Sequence, residues 1–316
     1  MTDSPNVLAF DVGMNVIRYA LFTNGRQGIP GTIAMPAGKA ESFYETLAGV
    51  ANRCQDAGTG LSGIAISMPG FIDTTHRKAI TAGPLAMLNG RGIGQELVEY
   101  LDHSVPIWVE NDANCAAIAE KCSGNARTLD DFVVITVDTG IGGAVFLNGH
   151  LLRGRDWNAG ELGMMITNFD VAGPLPLHDF ASTIALRQRY AEEFGVPEES
   201  VVASTLLRRL DEPRVREVVE RWADYVAILI YNTVVVLNPE CVLIGGQISQ
   251  ESALMPLIKD ALLRIPTWKK SFRVPVKRCR HSGNASLVGA YYAFLNGTGH
   301  EEGATGGSLI GRGRRS

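Results

Sequence analysis

The sequence predicts an α/β protein made of two domains, with a cleft between them. Its 316 residues are more than one ordinary core accommodates, which favours two domains. Short, apolar, β-prone segments alternate with longer segments of helical periodicity, as is typical of α/β domains. A strand, an acidic turn containing glycine and a second strand occur at the start of the chain and again near its middle. These three observations define the predicted fold class.

The first half is predicted to begin with two strands joined by a tight turn. Residues 6–10 and 16–22 are apolar and β-prone, and Asp11-Val12-Gly13 lies between them. The elements predicted to follow are a strand at 31–35, a helix at 40–57, strands at 64–67 and 107–109, and a helix at 112–121. The last two strands end at turn and polar residues, at the edge where open α/β sheets bind ligands.

The second half repeats this opening. A strand at 132–137, a turn from Asp138 to Gly143 and a strand at 144–147 are followed by the hairpin turn Asn148-Gly149. The later predicted elements are strands at 150–152 and 241–244 and helices at 182–194, 213–237, 252–264 and 285–295. Residues 297–316 are rich in Gly and Arg with almost no hydrophobic side chains, so we expect a disordered tail there.

The glycine-rich turn of the second half narrows the class of binding site. In a dinucleotide-binding fold such a turn opens a helix, whereas here Gly142-Gly143 leads into a strand. The sequence also has no P-loop, no G-x-S-x-G and no H-E-x-x-H motif. What remains is one acidic, glycine-containing turn in each half, and such turns can point main-chain N–H groups at a phosphate. The pair favours a nucleotide site.

Composition excludes several other classes. A net charge of -4 provides no basic surface for nucleic acid, and no apolar segment reaches the length of a membrane span. The residues from Met1 to Pro5 do not resemble a secretory leader, so we expect a cytoplasmic protein. The five cysteines are scattered and never form a C-x-x-C pair, which argues against a disulfide framework and a thiolate zinc site.

Six segments together resemble one known family. They are Asp11 to Gly13, Ser67 to Asp73, Glu110 to Asn114, Thr139 to Gly143, Ala159 to Gly163 and Pro239 to Gly246. In order and spacing they resemble the ROK family of bacterial sugar kinases and related repressors, over residues 6–295. The resemblance implies a two-domain, actin-like (ribonuclease H-like) ATPase fold, ATP as phosphate donor, a hexose or its derivative as acceptor, and a homodimer. We place the domains at 1–114, joined by the helix 284–295, and at 115–283.

The resemblance assigns Asp112 as the base that takes the proton from the attacking sugar hydroxyl. Phosphoryl transfer needs one such carboxylate beside good positioning. On its position alone, where a strand ends and a helix begins, Asp112 could instead be an ordinary helix N-cap. The substrate-binding residues implied by the resemblance are Gly70, Asn89, Asn111, Asp112, Glu161 and His178. Asn89, which precedes Gly90, also fits a simple turn residue, and His178 also fits a capping or surface residue.

The resemblance also implies a nucleotide site with magnesium. Asp11 would orient Mg²⁺ through water, and Thr139 with Gly140 would hold the β- and γ-phosphates. The nucleotide-binding residues implied are Asp11, Gly13, Asn15, Thr139, Gly140, Gly142, Gly143, Gly245 and Gly246.

Three departures from the family pattern matter. Met164 stands where a zinc-binding His is usual and residues 172–177 contain no cysteine, so we expect no structural zinc, as in the branch that includes β-glucoside kinases. Asn15 replaces a Thr in the first phosphate turn, and Asp138 replaces a small residue before the second. Asp138 would add a carboxylate near the phosphates, unless a magnesium ion uses it.

The resulting hypothesis is an ATP-dependent kinase acting on the 6-hydroxyl of a glucose-like sugar or β-glucoside. The alternative is a catalytically weak, sugar-binding regulatory protein, suggested by Asn15 and Asp138. A repressor is a further alternative, but the first strand is predicted near Asn6, which leaves no room for a preceding helix-turn-helix in this sequence.

Overall fold

The computed structural model of the chain describes residues 4–170 and 173–298. Its strands are β1 Asn6–Val12, β2 Val16–Thr23, β3 Arg26–Gln27, β4 Gly31–Ala34, β5 Leu61–Met68, β6 Ile72–Asp73, β7 Lys78–Ala79, β8 Ile107–Asn111, β9 Phe132–Val137, β10 Ile141–Leu147, β11 His150–Leu151, β12 Ile166–Asp170, β13 Gly173–Pro176, β14 Cys241–Gly245 and β15 Val276–Arg278. Its α-helices are α1 Ala40–Asp56, α2 Ile93–Val98, α3 Asp112–Ser123, α4 His178–Ala181, α5 Thr183–Phe194, α6 Ala203–Leu206, α7 Pro213–Leu237, α8 Leu254–Arg264, α9 Pro266–Ser271 and α10 Ala285–Thr298. None of the described helices combines the length and apolar character that crossing a bilayer would require.

The described chain divides into two compact units. The first contains residues 4–123, 153–159 and 284–298, and the second contains 124–152 and 160–283. The α3 helix lies wholly in the first unit, whereas the predicted boundary after residue 114 cuts it. As domain bounds, 1–114 with 284–295 and 115–283 stay a prediction.

The sheet of the first unit has the order β3-β2-β1-β5-β8, with β4 also paired to β2. β1 and β2 are antiparallel, whereas β1, β5 and β8 run parallel. In this register Asp11 pairs with Ser67, and Ser67 pairs with Glu110. Because carboxyl ends of parallel strands share one edge, the segments after these three residues lie at the same edge of the sheet.

Both faces of this sheet are buried, which explains why β1 reads as a continuous apolar run. Leu8 and Phe10 pack into the cluster that includes α1, while Val7 and Ala9 face the cluster formed with α3 and α10. The helices α3 and α10 meet closely at Gly289, where a Cβ would lie 1.8 Å from the carbonyl oxygen of Cys115.

The C-terminal helix is longer than predicted. Residues 297 and 298, assigned from sequence to a disordered tail, belong to α10, and the rest of that tail, 299–316, lies outside the described residues. A Cβ on Gly297 would lie 2.2 Å from the ring of Trp108. This glycine is therefore a packing residue of the helix, which composition alone did not reveal.

The second unit repeats the arrangement with the order β11-β10-β9-β14-β15. β9 and β10 are antiparallel, and β9, β14 and β15 are parallel. The long helix α7 contributes much of the core, and its buried Trp222 donates from Nε1 to the carbonyl oxygens of Ala181 and Ser182 at 2.9 and 3.0 Å. That contact fixes the segment just after His178.

Candidate active site

The junction between β8 and α3 carries the predicted base. The side-chain oxygen of Asn111 accepts a hydrogen bond from the N–H of Asn114 at 3.0 Å, which is the geometry of a helix N-cap. The carboxylate of Asp112 accepts at 2.8 Å from the N–H of Ala113, the next residue. Asn111 therefore caps α3, and the alternative interpretation of Asp112 as that cap is not needed.

Asn111 also connects this junction to the loop after β5. Its amide nitrogen donates to the carbonyl oxygen of Gly70 at 3.0 Å. Gly70 has φ +99°, and a Cβ there would lie 2.2 Å from the carbonyl oxygen of Thr81. The side chain of Asn89 accepts from the N–H of Ala82 at 2.7 Å. The structure thus brings Gly70, Asn89 and Asn111 together in the first unit, with Asn89 serving the loop as a turn-stabilising acceptor.

Sequence reasoning did not identify the charged pair beneath this junction. Glu110 is completely buried and Arg153 is 8% exposed, and their closest oxygen and nitrogen are 2.7 Å apart. Glu110 lies inside a segment that carried the family resemblance, but its partner is 43 residues away and has no motif of its own.

The first predicted phosphate turn contains an ion pair that the sequence did not indicate. Asp11 and Arg18 are neighbours on β1 and β2, and the Nε of Arg18 donates to Oδ2 of Asp11 at 2.8 Å. A second nitrogen of the guanidinium contacts the same oxygen. Asp11 still provides carboxylate oxygens of the kind that Mg²⁺ prefers, but Arg18 competes for one of them. The Asn15 side chain is exposed beside this turn.

The second unit brings its two predicted nucleotide turns together. Gly246 adopts φ 88° and ψ 161°, and a Cβ there would lie 2.3 Å from the carbonyl oxygen of Val137. The turn after β9 is therefore in main-chain contact with the turn after β14, where Gly245 is the last strand residue. Thr139 is exposed and Gly140 half-buried, so the first of these turns is accessible to a ligand.

Asp138 also makes a structural contact. Its Oδ1 accepts from the N–H of Gln247 at 2.8 Å, and its main chain bonds to Gly140 and Thr183. The carboxylate thus contributes to the contact between the turn that joins β9 to β10 and the turn after β14, which is a structural use that its position before a glycine turn did not suggest.

The loop that carries Glu161 lies against the strand that follows this turn. A Cβ on Gly143 would lie 2.3 Å from the carbonyl oxygen of Gly160, so Gly143 permits close main-chain packing. A Cβ on Gly140 would lie 3.2 Å from Cε1 of His178. Burial raises the pKa of Glu161 above its ordinary value. Of the predicted contacts in the second unit, His178 lies against Gly140 in the turn before β10, and the loop that carries Glu161 packs on Gly143 within β10.

The position expected to lack a zinc ligand is occupied by Met164, which is 62% exposed. Across residues 4–170 and 173–298, no three His, Cys, Asp or Glu side chains are grouped so that they could hold a metal ion. The absence of structural zinc stays a prediction.

Each unit combines an antiparallel strand pair with parallel strands and a glycine-containing turn, which together define a protein of the actin-like ATPase fold. The chain belongs to the ROK family, which matches residues 7–296.

Two curated relatives are similar over most of the chain. The β-glucoside kinase of Klebsiella pneumoniae is 32% identical over 240 residues, or 73% of this chain and 77% of that protein. The N-acetylmannosamine kinase of Pasteurella multocida (strain Pm70) is 28% identical over 288 residues, 90% of this chain and 94% of that protein. Among solved structures, the ROK hexokinase from Thermus thermophilus has a TM-score of 0.77 at 27% identity, covering 93% of this chain and 99% of that one. The predicted family and fold class are confirmed.

Proposed function

We propose that this chain is an ATP-dependent sugar kinase in which Asp112 accepts the proton of the attacking hydroxyl. The observation that carries the proposal lies at the start of α3. The side chain of Asn111 caps the helix, so the carboxylate of Asp112 is not required as the cap. General-base assistance of this kind is typically worth about 10²–10⁴-fold in rate. The named kinases among the relatives support the activity.

The remaining proposed site residues form two sets, one for the sugar that accepts the phosphate and one for the ATP that donates it. For the sugar, Asn111 still has one N–H and one lone pair after its two internal bonds, and Gly70, Asn89, Glu161 and His178 complete the proposed set. For ATP, the proposed set is Asp11, Gly13, Asn15, Thr139, Gly140, Gly142, Gly143, Gly245 and Gly246. Mg²⁺, when bound with ATP, neutralises charge on the phosphates, and Asp11 would orient it.

The proposed acceptor is the 6-hydroxyl of a glucose-like sugar or β-glucoside. The test is ATP consumption measured with glucose, a methyl β-glucoside, N-acetylmannosamine and N-acetylglucosamine, for wild type and for Asp112→Asn. We expect turnover with a glucoside or glucose, lost in the variant while sugar binding remains, because an amide keeps the hydrogen bonds but cannot take the proton. Near-normal turnover by Asp112→Asn would refute the assignment of the base.

Binding of these sugars without ATP consumption by the wild type would favour the regulatory alternative, which the named kinase relatives do not favour. The proposal also includes a cytoplasmic homodimer that acts on a small molecule, without nucleic acid or membrane as partner. Light scattering tests the dimer. Metal analysis of untagged protein tests the expected absence of zinc, and one tightly bound zinc per chain would contradict it.

A further inference from the structure

A buried ion pair supports the junction that carries Asp112. One oxygen of the Glu110 carboxylate, Oε1, accepts three hydrogen bonds: from the N–H of Asn111 at 3.0 Å, from the side-chain amide of Asn114 at 3.0 Å, and from Nη1 of Arg153 at 3.1 Å. The other oxygen, Oε2, lies 2.7 Å from Nη2 of Arg153. Arg153 therefore donates one hydrogen bond to the carboxylate, from Nη1, while Nη2 makes an ion-pair contact with Oε2 that lacks hydrogen-bond geometry.

The Glu110–Arg153 pair orients the residues around Asp112, which a hydrophobic contact at the same place would not do. Removing two charges from water is costly, so a buried ion pair is weak evidence for stability by itself. Here, however, the bonds of Glu110 reach the residue before Asp112 and the residue two after it, Asn111 and Asn114. Asn114 is 8% exposed and lies in the first turn of α3. Asn111 is partly buried and directly precedes the helix. The carboxylate thus holds the main chain of Asn111 before Asp112 and the side chain of Asn114 after it.

Arg153 is itself constrained by a short loop. The N–H of Ala159 donates to the carbonyl oxygen of Arg153 at 3.1 Å, which closes the segment 153–159. The guanidinium carbon lies 5.8 Å from the centre of the Trp157 ring, within reach of a cation–π interaction. Trp157 adopts φ 63°, a left-handed conformation that is unusual for a large side chain. Such strain persists only where surrounding contacts enforce it, and it is common near functional sites.

We propose that Arg153 is a positioning residue: through Glu110 it holds Asn111 and Asn114, and hence the carboxylate of Asp112, in the orientation that proton acceptance requires. Trp157 pre-organises the guanidinium for this role. The inference rests on the proposed kinase activity and adds to it a residue that does not touch the substrate. All of these residues belong to the first unit.

The test compares Arg153→Lys and Arg153→Met with wild type. Lys keeps the charge but loses the planar guanidinium, which donates from Nη1 to Oε1 and places Nη2 against Oε2. We expect kcat to fall about 10²-fold in Arg153→Met, the size of effect that a small misplacement of catalytic groups produces, and to fall less in Arg153→Lys. The KM for ATP should stay within about twofold, because the proposed phosphate contacts do not involve this pair, whereas the KM for the sugar should rise through Asn111. Arg208→Met, which removes an exposed ion pair with Glu251 in the second unit, is the matched control and should leave kcat unchanged.

A second variant separates positioning from folding, because Arg153→Met leaves a buried carboxylate without its cation. The double variant Glu110→Gln with Arg153→Met removes both charges and keeps an oxygen that can accept from Asn111. We expect its melting temperature to recover towards wild type while kcat stays at least about tenfold low, since the amide is no longer held by the guanidinium.

The outcomes are distinguishable. If kcat recovers together with the melting temperature in the double variant, or if Arg153→Met is folded with wild-type kcat and sugar KM, the pair is only structural and the inference is wrong. If the wild type shows no turnover with any sugar of the panel, the proposed function fails and this inference fails with it.

Discussion

Replacing Gly246 by Ala tests the contact between the two turns of the second unit that we propose bind the nucleotide. At φ 88° and ψ 161° this residue occupies a region that only glycine adopts readily, at a cost of about 1–3 kcal/mol for other residues. The added Cβ would also lie 2.3 Å from the main-chain oxygen of Val137 and 2.8 Å from its carbonyl carbon. Overpacking of this kind adds about 1–3 kcal/mol. We therefore expect a loss of about 2–6 kcal/mol in the free energy of unfolding.

The same displacement should weaken ATP binding. To relieve the contact, the turn after β14 must move away from β9, and this lengthens the bond from the N–H of Gln247 to the carboxylate of Asp138, now 2.8 Å. A hydrogen bond to a charged group is worth about 1.5–3 kcal/mol. If ATP binding requires this turn geometry, the bound state must restore the bond, and at 1.4 kcal/mol per factor of ten this raises the dissociation constant for ATP roughly 10- to 150-fold.

The assay measures ATP affinity by calorimetry and the melting temperature without nucleotide. Gly195→Ala is the matched control: it also has positive φ, at 64°, but nothing lies within 4 Å of the added Cβ. It should cost only about 1–2 kcal/mol of stability and leave ATP affinity unchanged. If Gly246→Ala binds ATP as wild type does and loses no more stability than the control, the close contact and its role in nucleotide binding are both refuted.

Three further predictions concern single side chains. Asn15→Thr should leave ATP affinity unchanged or increase it, because Asn15 is not among the described residues with positive φ and a β-branched residue fits such a turn; calorimetry measures this. Arg18→Gln should lower the Mg²⁺ concentration that gives half-maximal rate, by up to about fivefold, because it removes a cation that competes for Asp11 and partly exposed pairs are worth about 1 kcal/mol at most. Acidification should raise the sugar KM at a pH above 4.5, because the raised pKa of Glu161 lets this carboxyl take up a proton there and become a weaker, uncharged acceptor.

Each of these has a contradicting result. Weaker ATP binding by Asn15→Thr at unchanged melting temperature would show that Asn15 makes a contact that Thr cannot replace. An unchanged or higher Mg²⁺ requirement in Arg18→Gln would exclude competition at Asp11. For Glu161, the control is Glu161→Gln, which should remove the pH dependence of the sugar KM; a dependence that persists in it belongs to another group.

The long elements could be predicted because their signals are local. The bounds of α7 agree with the sequence prediction, since Pro213 is favoured at a helix start and Asn238 ends the helix in a left-handed conformation with φ 43°. The three-residue strand β15 was missed. It exists because Val276 and its neighbours pair with β14 in parallel, and a pairing partner more than 30 residues earlier leaves no local pattern.

The candidate site shows the same division between local and non-local information. Sequence reasoning identified Asp112 but left two interpretations open, because Asp is suited both to a base and to an N-cap. The choice between these interpretations depends on which side chain accepts a hydrogen bond from the main-chain N–H of Asn114, in the first turn of α3. The structure gives that bond to Asn111 through a local contact, whereas the bond from the Asn111 amide to Gly70 crosses from β8 to the loop after β5 and depends on the register of these two strands. Because that register pairs Met68 with Asn111, it brings Gly70 within reach of the residue before Asp112, and this proximity over 41 residues leaves no pattern in the sequence.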